Sequence, residues 1–248
     1  MENYNGKNIW IIGASSGIGE ALARELHARG ASLALSARSE DKLKKINRTM
    51  NQEHLVIPCD VADVSSVQTA IKATLDDMGQ IDHVVFLAAL YTPGNLVDAH
   101  LEDIRKALNV NIGGAMNVVH EVVPVLRQGS TITLCGSVAG YRGLPKGQPY
   151  SATKAAVINL AESLKLDLAP RGIDVKVINP GFVRTPLTDK NNFKMPMMIE
   201  PEEAAKAIAK GLQSKVFEIH FPKKFTFIMK LLQLLPHRLY FWLSKRMI

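Results

Sequence analysis

Asn8-Ile9-Trp10-Ile11-Ile12-Gly13-Ala14-Ser15-Ser16-Gly17-Ile18-Gly19 is a short apolar run that breaks into a glycine-rich turn. The run reads as a strand. Past the turn, Ile18, Leu22 and Leu26 fall on one face of a helix. Strand, glycine turn and helix in immediate succession is the context a nucleotide-binding loop requires. The glycines permit a tight turn and let backbone N–H groups approach a pyrophosphate at the helix N-terminus.

Working outward, the same alternation repeats along the chain. Residues 31–37 read as a second strand closed by Arg38, and residues 54–59 as a third that ends at Asp60. A helix is expected over Val64–Met78. Residues 82–89 form a fourth strand, apolar from Val84 onward, as suits a strand buried on both faces. A long helix over 101–126 carries Asn109 and Asn111 inside it. A fifth strand over 130–135 ends at Gly136-Ser137. Next come a helix over 149–169 and a sixth strand over 173–178, after which Asn179-Pro180-Gly181 opens an irregular loop to about residue 200. A helix over 201–212, with Pro201 at a first-turn position, and a last strand over 215–221 complete the series. Alternation of this kind implies an α/β fold: one parallel sheet with helices on both faces, binding its ligands beyond the carboxyl ends of the strands. The glycine loop, Arg38, Asp60, Ala88, Ala89, Ser137, Pro180 and Gly181 all fall at such ends.

The chain has 248 residues, 47% apolar and 21% charged, which suits one globular domain. Its net charge of +7 is unevenly spread. Residues 219–248 contain six lysines and arginines and no acid, and subtracting that +6 from +7 leaves +1 for the first 218 residues. A nearly neutral body argues against nucleic acid as a partner. Cys59 and Cys135 each end an apolar strand and read as buried thiols rather than a disulfide or metal pair, so no metal site is expected. The first residues lack an apolar signal region, and a cytoplasmic protein is expected.

Tyr150-Ser-Ala-Thr-Lys154 places a phenol and an ammonium one turn apart on one helix face. Val157, Ala161, Leu164 and Leu168 continue that face as an apolar seam that would dock on the sheet. A phenol exchanges protons poorly near neutrality, its ordinary pKa being about 10. A fixed ammonium beside it favours the phenolate and brings it toward working range. Arg38, at the end of the second strand, suits a ribose 2′-phosphate where an acid would suit the free hydroxyl. The alternative is a solvated helix-cap residue before Ser39-Glu-Asp, and the 2′-phosphate reading is preferred. The first reading favours NADP over NAD. Asp60 could accept a hydrogen bond from an adenine amino group or merely cap its turn.

With these motifs in place, the sequence resembles the short-chain dehydrogenase/reductase family over residues 7–220. Gly13 to Gly19 match its cofactor loop, with Ser15, Ser16, Gly17 and Ile18 inside it. Asp60-Val61 matches its adenine-side motif, and Asn111 its helix asparagine. Ser137 stands thirteen residues before Tyr150, at the family spacing. Pro180-Gly181-Phe182-Val183-Arg184-Thr185 matches the segment beside the nicotinamide. The resemblance implies a Rossmann-like, doubly wound single domain that binds NADP or, alternatively, NAD. It also implies a hydride exchanged with a carbonyl or secondary alcohol of a small molecule. Tyr150 would move the proton, Lys154 would favour the phenolate and hold the ribose, and Ser137 would orient the substrate oxygen. Asn111 would position a relay water. Homodimers or homotetramers are implied, paired through the helices over 101–126 and 150–169 and through the last strand. Two departures stand out. Ile12 replaces the family's threonine, and Phe86-Leu87-Ala88-Ala89 replaces its Asn-Asn-Ala-Gly. Both exchange polar groups for apolar ones on neighbouring strands. The rival function is a cofactor-binding regulatory or scaffold protein of the same fold, against which the retained Tyr150 and Lys154 speak.

The loop after Thr185 carries Leu187, Phe193, Met195, Met197 and Met198, which could line an apolar pocket for a lipophilic substrate or be ordinary packing. Residues 1–220 are expected to form the dinucleotide-binding and catalytic body, and 221–248 a basic, apolar helical extension of the same domain. In that extension Thr226, Lys230, Gln233 and His237 form a polar strip among many apolar residues, and Pro236 interrupts the run. Neither half reaches the roughly 20 apolar residues of a spanning helix. The tail would pack on protein or, alternatively, lie as a peripheral contact on a membrane surface.

Overall fold

The structure, a computed structural model, describes residues 3–245. Seven parallel strands form one sheet in the order β3-β2-β1-β4-β5-β6-β7. They are β1 Asn8–Ile12, β2 Ser32–Ala37, β3 Leu55–Pro58, β4 His83–Phe86, β5 Thr131–Cys135, β6 Asp174–Pro180 and β7 Glu218–Phe221. The chain winds outward from β1 to β3, then returns to place β4 beside β1. The crevice for a ligand opens where that order reverses.

Successive residues of a strand point to opposite faces, and β1 shows the consequence. Ile9 and Ile11 join one core with α1 (Gly17–His27), α2 (Glu40–Arg48) and α7 (Pro201–Leu212). Trp10 and Ile12 join the other with α3 (Val64–Met78), α5 (Gly114–Val122) and α6 (Tyr150–Asp167). Helices therefore cover both faces, as the alternation implies. On α6, Val157 and Ala161 are buried and Leu164 partly so, and Leu168 just past its end is buried too, which seats the helix by the expected seam.

The strands run a little shorter than expected at their ends. Residues 87–89 leave the ladder after Leu87 donates to the Ile12 carbonyl at 2.8 Å. The long helix expected over 101–126 is also modified. It starts as α4 (Leu101–Leu108), widens into a π-turn over Asn109–Gly113, and resumes as α5 before a short 3₁₀ turn at Val123–Val125. The cause is tertiary. The Asn111 side chain is drawn onto Leu90, and Gly114 sits so close to Val61 that a Cβ there would lie 2.5 Å from the valine methyl. Helix α8 (Lys223–Leu234) and α9 (His237–Ser244) form the extension. Among the described residues no helix is long and apolar enough to cross a membrane.

Candidate active site

A cleft of about 540 Å³ crosses the carboxyl ends of the central strands. Its floor is the glycine loop. Gly13 has φ +95°, and a Cβ on it would lie 2.7 Å from the Ala88 amide nitrogen, so β1 and β4 can close here only on a glycine. Ser16, the N-cap of α1, spends no side-chain bond on capping, and the first-turn N–H groups face the cleft end of the helix. Across the cleft, Thr185 approaches Gly17 so closely that a Cβ there would be 2.9 Å from the threonine methyl. This glycine-lined cradle fits a dinucleotide.

The two departures from the family pattern meet each other. Ile12 pairs in register with Phe86, and both are buried in one core. An apolar pair therefore joins the two strands at this register.

The cleft brings together every residue expected at the site except Asn111. The glycine loop, Arg38, Asp60, Val61, Ala88 and Ala89 line one part. Ser137, Tyr150, Lys154, Pro180, Gly181, Val183 and Thr185 line the other. Arg38 is exposed, and no hydrogen bond or ion pair among the described residues occupies its guanidinium. Asp60 caps its own turn with one oxygen, which accepts from Ala62 N at 3.0 Å, while the residue still lines the cleft. Val61 is held from behind by Asn117, whose Nδ2 donates to its carbonyl at 3.0 Å. Asn111 lies 1% exposed behind the wall. Its Nδ2 donates to Leu90 O at 2.9 Å and to Thr153 Oγ1 at 3.0 Å, which uses both amide hydrogens.

At the Tyr150 end of the cleft, Ser137 stands two residues past β5, and its Oγ accepts from Ala139 N at 3.1 Å. Tyr150 opens α6, and Lys154 follows one turn later, 1% exposed. The expected lowering of the phenol by Lys154 is not realised in this geometry. Burial raises the Tyr150 phenol above its ordinary range, with Cys135 and Tyr91 adding to the rise and a hydrogen bond with Ser137 opposing it. The Lys154 ammonium is itself pulled down by burial. Its Nζ donates to the Cys135 carbonyl at 2.7 Å and stands 5.5 Å from the Tyr150 ring centre. Cys135 and Cys59 are both free and buried.

Tyr91, Lys190 and Lys42 are among the lining residues that escaped the sequence reading. Tyr91 stacks edge-on against Tyr150 with ring centres 4.9 Å apart, and its hydroxyl donates to Asn191 Oδ1 at 2.5 Å. Lys190 closes the same clasp, its Nζ donating to Tyr91 O at 2.9 Å. Lys42, on the first turn of α2, lines the Arg38 end. Spacing from Arg38 could have suggested Lys42; nothing in the sequence marks Tyr91. Of the apolar residues in the loop after Thr185, Leu187 lines the cleft, whereas Phe193 and Met197 are exposed.

Similarity to known proteins runs along the same residues. The model of the family described as short chain dehydrogenase matches residues 7–196. An uncharacterized oxidoreductase of Staphylococcus epidermidis is 35% identical over 204 residues, covering 82% of this chain and 89% of its own. A Burkholderia cenocepacia short chain dehydrogenase, solved in complex with NADP, superposes with a TM-score of 0.81 at 25% identity, covering 88% of this chain and 97% of its own. A short chain dehydrogenase/reductase of Burkholderia phymatum, solved with NAD, shares the fold with a TM-score of 0.85 at 23% identity over 93% and 94% of the two chains. Family match, sheet order and the Ser137–Tyr150–Lys154 arrangement agree, and the chain belongs to the short-chain dehydrogenase/reductase family of oxidoreductases.

Proposed function

We propose that the protein is an NADP(H)-dependent oxidoreductase interconverting a carbonyl and a secondary alcohol on a lipophilic small molecule. The observation that carries this reading is a single cleft with the half-buried Tyr150 and the buried Ser137 and Lys154 at one end and the unengaged Arg38 at the other. The glycine loop, Asp60, Val61 and Thr185 would hold the dinucleotide, with Arg38 and Lys42 on a 2′-phosphate. Related structures with NADP and with NAD support a nicotinamide cofactor here. Bound there, the nicotinamide supplies a hydride in reduction and accepts one in oxidation. Tyr150 gives its proton to the substrate oxygen in reduction and takes it back in oxidation. Ser137 hydrogen-bonds that oxygen and orients it. Lys154 holds a positive charge where the phenolate forms, offsetting part of the cost of a buried anion. Asn111 braces Leu90 and Thr153, and Tyr91 and Leu187 give the substrate end an apolar wall. The protein acts as a homo-oligomer, for which Leu101, Leu108 and Leu166 are exposed on α4 and α6.

Oxidation of NADPH and of NADH with a panel of aliphatic and aromatic ketones and aldehydes tests this reading. Ketone-dependent NADPH oxidation that is lost in Tyr150→Phe is the expected result. NADPH binding with no turnover on any member of the panel would favour the regulatory or scaffold reading.

A further inference from the structure

Helix α8 sits on the body with the first half of its polar strip, Thr226 and Lys230, turned inward. Thr226 is fully buried, its Oγ1 hydrogen-bonded to His220 Nδ1 at 2.6 Å. Lys230 is ion-paired to Glu218 of β7. Met229 is the one apolar side chain of the helix that is fully buried, and Phe225 stacks on Phe182 with ring centres 5.4 Å apart. The opposite face carries Phe227, Ile228, Leu231 and Leu234, from 47% to 80% exposed, and α9 adds Leu239 and Phe241. Rolling the helix to bury these leucines would break the Lys230–Glu218 and Thr226–His220 contacts. The apolar face is therefore held outward by the polar one.

The charges around this face have one sign. Lys223 and Lys224 stand exposed in the first turn of α8, where they oppose the helix dipole and no acid shares the turn. Arg238 is exposed beyond Pro236, and residues 219–248 contain no acid at all. Arg246 lies outside the described residues. Two copies meeting by this face would set Lys223, Lys224 and Arg238 of each against those of the other. Anionic headgroups are complementary both to these cations and to the leucines and phenylalanines between them. We propose that the α8–α9 face seats the protein on an anionic lipid surface.

This seating reaches the cleft. Phe182, next to Gly181 at its rim, touches Phe225 of α8 on one side and Phe193 of the loop after Thr185 on the other, the second pair 5.9 Å apart. Phe193 and Met197 of that loop are themselves about half exposed. A lipid-seated α8 therefore touches the segment that bounds the substrate end. The inference does not depend on the identity of the substrate, because lipid binding is read without turnover.

Cosedimentation of the full chain with vesicles tests it. The intact protein should pellet at low salt with vesicles of equal parts phosphatidylglycerol and phosphatidylcholine, and far less with phosphatidylcholine alone. Leu231→Glu with Leu234→Glu should weaken binding at least about tenfold, and Lys224→Glu about fivefold or more, with cofactor binding unchanged in each. Both leucines and the lysine are exposed, so the variants are expected to fold; retained cofactor binding checks this. Failure of the intact chain to pellet with the anionic vesicles would overturn the proposal. So would undiminished binding by the double variant. A fall in oligomer size caused by the double variant in vesicle-free solution would assign the face to a second copy instead.

Discussion

The Asn111 carboxamide holds Leu90 by both of its backbone polar groups, accepting from its N–H at 2.7 Å and donating to its carbonyl at 2.9 Å. One side chain thus fixes the wall of the cleft just before Tyr91, and it does so from inside a π-turn. Asn111→Ala should leave that N–H and carbonyl without their partner in a partly buried setting and lower the unfolding free energy by about 1–3 kcal/mol. Denaturant titration measures the loss, and a shift in KM alongside it would report the displaced Tyr91.

Tyr150→Phe deletes only a hydroxyl. Turnover should fall about 10²–10⁴-fold while NADPH affinity stays nearly unchanged. The pH dependence follows from the raised phenol. The protonated donor prevails across the neutral range, so reduction should be flat from about pH 6 to 9, whereas oxidation needs the phenolate and should climb toward alkaline pH. Steady-state rates in both directions check the pair.

Arg38→Ala should weaken NADPH by roughly 1.5–3 kcal/mol, as expected for a charged hydrogen bond, and leave NADH almost untouched. Titration calorimetry with both cofactors separates the two. Equal losses would return Arg38 to a helix-cap role.

Burial lowers the pKa of His54 to about 4, helped by His27 and opposed by Glu53. Burial also lowers that of His83 to about 4, with Asp82 opposing and Lys7 and Lys176 assisting. An unfolded histidine titrates near 6.5, so between those values the unfolded chain binds more protons than the native one. Stability should be full above about pH 6.5 and decline as pH falls toward 4. His54→Gln should lessen that decline in unfolding measurements across the window.

Leu101 and Leu166 are 70% and 76% exposed on α4 and α6. If these helices join subunits, Leu166→Glu should reduce the mass seen by light scattering at micromolar protein. An unchanged mass would place the subunit contact elsewhere.

The sheet was legible because parallel strands buried on both faces write continuous apolar runs, as β1 does over 9–12 and β4 over 84–86. Helix α6 was legible from the spacing of Val157 and Ala161. Helix α2 was seen only through its cap, since its few apolar residues, Leu43 and Ile46, leave a weak pattern. The π-turn was not legible, because its cause lies in contacts with Leu90 and Val61, distant in sequence. The same holds for Tyr91, placed by a fold rather than a motif. The tail misleads in a physical way. Its own pattern shows how apolar the helix is, but the partners that draw Thr226 and Lys230 inward, His220 and Glu218, belong to β7. The effect of Lys154 on Tyr150 was also hidden, since spacing reveals the neighbour and not the depth at which both are buried.

Glu218 accepts from Asn179 Nδ2 at 2.7 Å and from the Tyr141 hydroxyl, while Lys230 pairs with its other oxygen. Burial works to raise this carboxyl, but the hydrogen bonds from Lys230, Tyr141 and Asn179 outweigh it and hold it below the usual range. Tyr141 follows directly on the 3₁₀ turn that begins after Ser137, and Asn179 precedes Pro180. The turn that follows Ser137, the rim of the cleft and the tail therefore share one counterion. In descent or in protein engineering the extension is not an exchangeable appendage: a foreign tail joined after β7 would have to bring its own cation to Glu218, or the turn behind Ser137 would inherit an uncompensated charge.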